Sequence, residues 1–97
     1  MLVDTITLSF KILPHVGEDR LYPVVDEVIS LIQRSGIKHV VGASETTMEG
    51  DWDTLFGIVK EARELCFRLG APRVSIILMA DCRPGGVTID EKLAKYS

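Results

Sequence analysis

Between two amphipathic helical stretches lies the segment Lys38–Asp51, KHVVGASETTMEGD. It reads as two short strands, Ile37–Val41 and Glu45–Glu49, folded over the small residues Gly42, Ala43 and Ser44. A hairpin held between two helices needs further strands to pair with, and both flanks supply them. Residues Asp4–Ile12 alternate cleanly, with Ile6, Leu8, Phe10 and Ile12 on one side and Thr5, Thr7, Ser9 and Lys11 on the other, the period-two signature of a strand. The Thr/Ser side is polar without being heavily charged, which suits an open sheet face covered by a ligand or a second subunit. Residues Arg73–Asp81 alternate too, but their second face carries Ile77 and Met79 and is half apolar.

The first helix is expected from about Leu21 to Ser35. Leu21, Val25, Val28 and Ile32 fall at helical spacing, Val24, Ile29 and Leu31 widen the stripe, and Gly36 ends it. Pro23 is expected in the first turn, where its missing N–H costs least. Asp51 or Asp53 caps the second helix, whose stripe is Leu55, Val59, Ala62, Cys66 and Leu69, with Gly70 as the stop. The tail Thr88–Tyr96 predicts a short docked helix opened by the T-x-x-E capping box of Thr88 and Glu91. The order strand, helix, strand, strand, helix, strand predicts an α+β chain, the ferredoxin-like βαββαβ sandwich with an added short C-terminal helix, as a single domain over residues 1–97. That order gives architecture and not activity.

Composition narrows the classes. A net charge of −3 leaves no basic footprint, which argues against nucleic acid. No run approaches the ~20 apolar residues of a membrane span. The start, MLVDTITLSF, lacks a basic leader region and is interrupted by Asp4, so it does not read as a signal peptide. Cys66 and Cys82 form no CxxC pair, and a cytoplasmic protein with reduced thiols is the simple expectation.

The polar cluster Ser44, Glu45, Thr46, Thr47 and Glu49 gathers hydroxyls and carboxylates able to read a heteroaromatic ring with an exocyclic amine. Alternation sets Glu45, Thr47 and Glu49 on one face and Thr46 and Met48 on the other. Residue types alone favour a solvated hairpin with threonines chosen for strand propensity. Trp52 stands between stacking on a ligand and stapling the second helix. Arg83-Pro84-Gly85-Gly86 reads as a plain turn more readily than as an anion site, and Cys82 beside Arg83 has no base partner. His15 and His39 lie in no metal-ligand spacing. No nucleophile–base pair and no metal set is visible, so no catalysis and no cofactor are expected. An acylphosphatase-like hydrolase needs an Asn, and the chain has none.

The strand KHVVG, the TTMEGDWD segment and the DEKLAKY end, in this order, resemble the small thiamine-binding proteins of the YkoF-like family across essentially the whole chain. Gly42, Thr46-Thr47, Glu49-Gly50 and Trp52 carry most of the likeness. The resemblance implies a ferredoxin-like domain, a homotetramer built as a dimer of dimers, and binding of thiamine or its hydroxymethylpyrimidine moiety without catalysis. On it, the expected ligand-binding residues are Ser44, Glu45, Thr46, Thr47, Glu49 and Trp52. Ala43 stands where many relatives carry proline, and Glu45 adds a carboxylate.

Overall fold

Alternation along the first strand becomes the two faces of a sheet. The computed structural model describes residues 4–96. Met1–Val3, on which the leader reading partly rests, and Ser97 lie outside them. Strands β1 (Ile6–Pro14), β2 (Lys38–Val41), β3 (Thr46–Gly50) and β4 (Val74–Asp81) form one sheet in the order β2-β3-β1-β4. All neighbouring pairs are antiparallel. Helices α1 (Glu18–Arg34) and α2 (Trp52–Arg68) cover one face, and a short α3 (Ile89–Leu93) followed by a 3₁₀ turn (Ala94–Tyr96) closes the described chain. Element order and strand order are those of the ferredoxin-like fold that the pattern predicts.

The core lies between the sheet and the two helices. Leu8, Met48, Leu55, Ala62 and Cys66 are fully buried, and Ile6, Phe10, Val24, Val28 and Ile32 join them in one cluster. Burial pushes the Cys66 thiol pKa up, so it packs as a small apolar group.

Several boundaries differ from the sequence pattern. β1 ends two residues later, at Pro14, because β4 continues to pair with it through Pro14↔Val74. β3 begins at Thr46 and runs to Gly50, since its partner on β1 extends to Ile6. α1 starts a turn earlier than the apolar stripe suggests: the amides of Arg20 and Leu21 both donate to the Gly17 carbonyl, and Glu18 and Asp19 sit at the positive end of the helix. Pro23 therefore lies inside the helix and not in its first turn. It is exposed, and its missing N–H leaves the Asp19 carbonyl without an intrahelical donor. Asp51 is the cap of α2, its Oδ2 accepting the Thr54 amide at 3.0 Å. Only half of the expected capping box forms on α3. Thr88 Oγ1 accepts the Glu91 amide at 3.1 Å, while the Glu91 carboxylate turns away to accept from Arg83 Nη2 at 2.7 and 2.9 Å.

The other sheet face is only partly covered. The register aligns Lys38, Glu49, Thr7 and Asp81 in one row across it, and Val40, Thr47, Ser9 and Met79 in the next. The chain after β4 folds back over the first row. Ion pairs join Lys38 to Asp90 at 2.6 Å and Lys92 to Asp81. Val87 N donates to the Thr5 carbonyl, Val87 and Ile89 are buried, and Thr7 beneath them is 2% exposed. Ile77 and Met79 lie beyond this cover at 60% and 61% exposure.

Candidate functional site

A cavity of about 270 Å³ opens between α1 and the β2–β3 turn. Its floor is Phe10, Ile12, Val28 and Ile32. Its rim is polar: Tyr22 and Asp26 from α1, Ser44, Glu45 and Thr46 from the hairpin. Tyr22, Val25, Asp26 and Ile29 reach it together because positions three and four apart share a helix face.

The hairpin explains why there is room. Two-residue turns that match strand twist need a positive φ at a central residue. No described residue other than glycine has one, and the positive-φ glycines are Gly36, Gly70, Gly85 and Gly86. The turn over Ala43 and Ser44 is therefore not of that kind, and it is closed by a main-chain hydrogen bond from Gly42 N to Glu45 O at 2.8 Å. A Cβ at Gly42 would stand 2.9 Å from that same Glu45 oxygen, so glycine is needed there for close approach. β3 starts only at Thr46, and β1 continues past it, leaving a gap beside β1 that the cavity occupies.

The six hairpin-centred residues expected at a site do not converge. Ser44, Glu45 and Thr46 line the cavity. Thr46 points inward at 7% exposure. Thr47 points to the opposite face, where it borders a small 130 Å³ cavity with Val40, Ile89, Lys92 and Leu93. Glu49 also lies on that face, and its Oε1 accepts the Ile89 amide at 2.7 Å. Trp52 stacks on Phe56 with ring centroids 4.4 Å apart and remains half exposed.

Tyr22 and Asp26 were not legible as site residues. Asp26 is one of several acids on the polar side of α1, and only an i, i+4 pairing with an aromatic distinguishes it. Both histidines are engaged: His15 Nε2 lies 2.8 Å from Ser75 Oγ, and His39 Nδ1 lies 3.0 Å from the Ile37 carbonyl oxygen. Arg83 donates to the Gly86 carbonyl and to Glu91, so its guanidinium is committed inside its own turn. A shallower depression of about 490 Å³ beside Arg83, Lys92, Lys95 and Tyr96 is walled by ion pairs that satisfy one another. No group of three or more metal-ligating side chains occurs among the described residues. No helix there is long and apolar enough to cross a membrane.

An apolar floor under a rim of hydroxyls and carboxylates, with Lys11 also in the lining, is a concave site sized for a small molecule on a ferredoxin-like frame. Residues 8–97 match the family described as thiamine-binding protein, and the chain belongs to that family. It is 51% identical over 94 residues to the UPF0045 protein CPE1503 of Clostridium perfringens, covering 97% of this chain and 99% of that one. Among solved structures it is similar to a domain of unknown function from Bacillus cereus, at 42% identity and a TM-score of 0.92, covering 98% of this chain and 92% of that one. A Thermotoga maritima protein described as a candidate for thiamine biosynthesis or salvage superposes with a TM-score of 0.89 at 38% identity, over 96% of this chain and 99% of that one.

Proposed function

We propose that this chain binds thiamine or its hydroxymethylpyrimidine moiety, without turning it over, in the cavity between α1 and the β2–β3 turn. The observation that carries the reading is the composition of that cavity in a member of the thiamine-binding family: an apolar floor with Ser44, Glu45, Thr46, Tyr22 and Asp26 around it. An aminopyrimidine presents amine donors beside ring-nitrogen acceptors. Carboxylates accept from the amine as charge-assisted bonds, and hydroxyls serve either atom. The carboxylates of Asp26 and Glu45 outnumber the one cation in the lining, Lys11, and so favour the cationic thiazolium. The family's description as a binding protein supports binding over catalysis. The role is sequestration, delivery or sensing within thiamine supply, in the cytoplasm and without nucleic acid as partner.

The assembly belongs to the same proposal. Ile77, Met79 and Val40 leave an apolar strip on the uncovered sheet face, and a second copy buries it, giving a homo-oligomer of the dimer-of-dimers kind. A purely structural oligomer without ligand uses the same strip. Calorimetry separates the two: titration with thiamine and with hydroxymethylpyrimidine yields saturable heat at one site per chain. Absence of heat with either compound, on protein whose oligomeric state is intact, overturns the binding function.

A further inference from the structure

The β1–β3 ladder stops at Phe10↔Thr46, while β1 runs on to Pro14 along β4. In an antiparallel sheet each residue aims its N–H and C=O at the same neighbour, and successive residues alternate. His15 N donates to the Arg73 carbonyl at 2.8 Å, continuing the β1–β4 register. Odd-numbered β1 residues therefore face β4, and even-numbered ones face β3. Gly42 N donates to Glu45 O in the β2–β3 register, so odd-numbered β3 residues face β2 and Thr46 faces β1. The two assignments agree, and Phe10 pairs with Thr46. Ile12 comes next. The residue the register would set opposite it is Ser44, which lies in the turn. The Pro14 carbonyl accepts from Val16 N at 3.0 Å. Ile12 is thus left with its N–H and its C=O both directed into the gap and without a hydrogen-bond partner among the described residues. Ile12 is 9% exposed and lines the cavity.

More than about 90% of buried main-chain groups are paired. An exception that opens into a cavity marks a place where something else completes the pairing. One N–H and one C=O side by side on a strand edge form a donor–acceptor pair, the element that β-addition uses repeatedly.

We propose that the Ile12 main chain reads the amine edge of the ligand, which takes the place of the missing β3 rung. The ligand amine donates to the Ile12 carbonyl, and the Ile12 N–H donates to the adjacent ring nitrogen. The site therefore selects planar heteroaromatic amines with an amine next to a ring acceptor. This inference rests on the cavity being the ligand site. Main-chain readout uses one amine hydrogen and one ring nitrogen, and leaves the second amine hydrogen and the other ring nitrogen to the rim side chains.

Amide hydrogen exchange followed by NMR tests it, with hydroxymethylpyrimidine as probe and its analogue lacking the amine as control. In the free protein the Ile12 amide exchanges faster than those of Lys11 and Leu13, which are bonded to β4. At a probe concentration one hundred times Kd, Ile12 exchange slows by about a hundredfold through mass action, and the amine-free analogue binds about tenfold more weakly, because one of the two hydrogen bonds is lost and the Ile12 carbonyl is left unpaired in the complex. Shifts at Ser44 and Thr46 with an unprotected Ile12 amide overturn this inference and leave the proposed function standing. Protection of Ile12 in the free protein equal to that of Lys11 also overturns it. No resonance shift anywhere overturns both.

Discussion

Glu49 on β3 accepts the main-chain amide of Ile89 at 2.7 Å, forty positions later, and so fastens the start of α3 to the sheet. A helix of five residues does not hold itself together. The flanking ion pairs are exposed and individually weak. The Glu49 contact and the buried Val87 and Ile89 side chains do most of the docking.

Replacing Glu49 by Ala is accordingly expected to free residues 82–96 while the sheet stays folded, at a cost of about 1.5–3 kcal/mol for the lost charged acceptor. Glu49→Gln keeps an acceptor oxygen and loosens the tail less. Limited proteolysis gives the readout. Cleavage within the tail that rises in the order wild type, Gln, Ala supports the tether. Equal resistance in all three contradicts it.

The exposed strip on β4 is expected to hold subunits together. Ile77→Lys with Met79→Lys places two charges in the proposed interface, where unpaired burial is prohibitive. Light scattering should report smaller particles for the double variant, with an unchanged circular dichroism spectrum. A wild type that is already monomeric at micromolar concentration removes the oligomer from the proposal.

Acid sensitivity has a named source at the start of α2. The Thr54 side chain and amide hold the Asp51 carboxyl below its ordinary value of 3.8. A carboxyl whose folded pKa is lowered stabilises the fold above 3.8 and loses that contribution as pH falls through the lowered value. Asp51→Ala should therefore melt at a lower temperature than wild type at neutral pH, and the gap should close below pH 3.8. A gap independent of pH would assign the effect to something other than the charged cap. At the opposite end of the scale Lys38, raised by its bond to Asp90, contributes below its ordinary 10.5 and stops contributing as pH climbs through its higher folded value.

Much of the architecture was legible because apolar periodicity reports directly on burial. Ile6, Leu8 and Phe10 on β1, and Val28 and Ile32 on α1, follow their patterns into the core. Both helix stops, Gly36 and Gly70, carry the positive φ that helix ends favour. Alternation also set Thr46 apart from Thr47 and Glu49 correctly. Pattern does not report which face of a sheet borders a cavity. Glu49 offered a carboxylate in a polar cluster, and nothing local said that an amide from residue 89 would claim it. Asp26 and Tyr22 belong to a helix whose polar side is acidic throughout, so their place on the rim depends on where the hairpin turn lands. Ile12 is more hidden still. Its side chain reads as core, and its part in the proposed site is carried by main-chain atoms that every residue possesses.

Thr46 and Thr47 are adjacent on one strand and face opposite sides of the sheet, so they divide the two possible sites cleanly. Calorimetric titration of Thr46→Val and Thr47→Val with hydroxymethylpyrimidine is the most direct test of where the ligand sits. Each change removes a hydroxyl at nearly constant volume. The account predicts that Thr46→Val weakens binding by roughly fivefold, about 1 kcal/mol for one neutral hydrogen bond, while Thr47→Val leaves affinity unchanged. Weakening confined to Thr47→Val would place the ligand on the α3 side of the sheet and contradict the account.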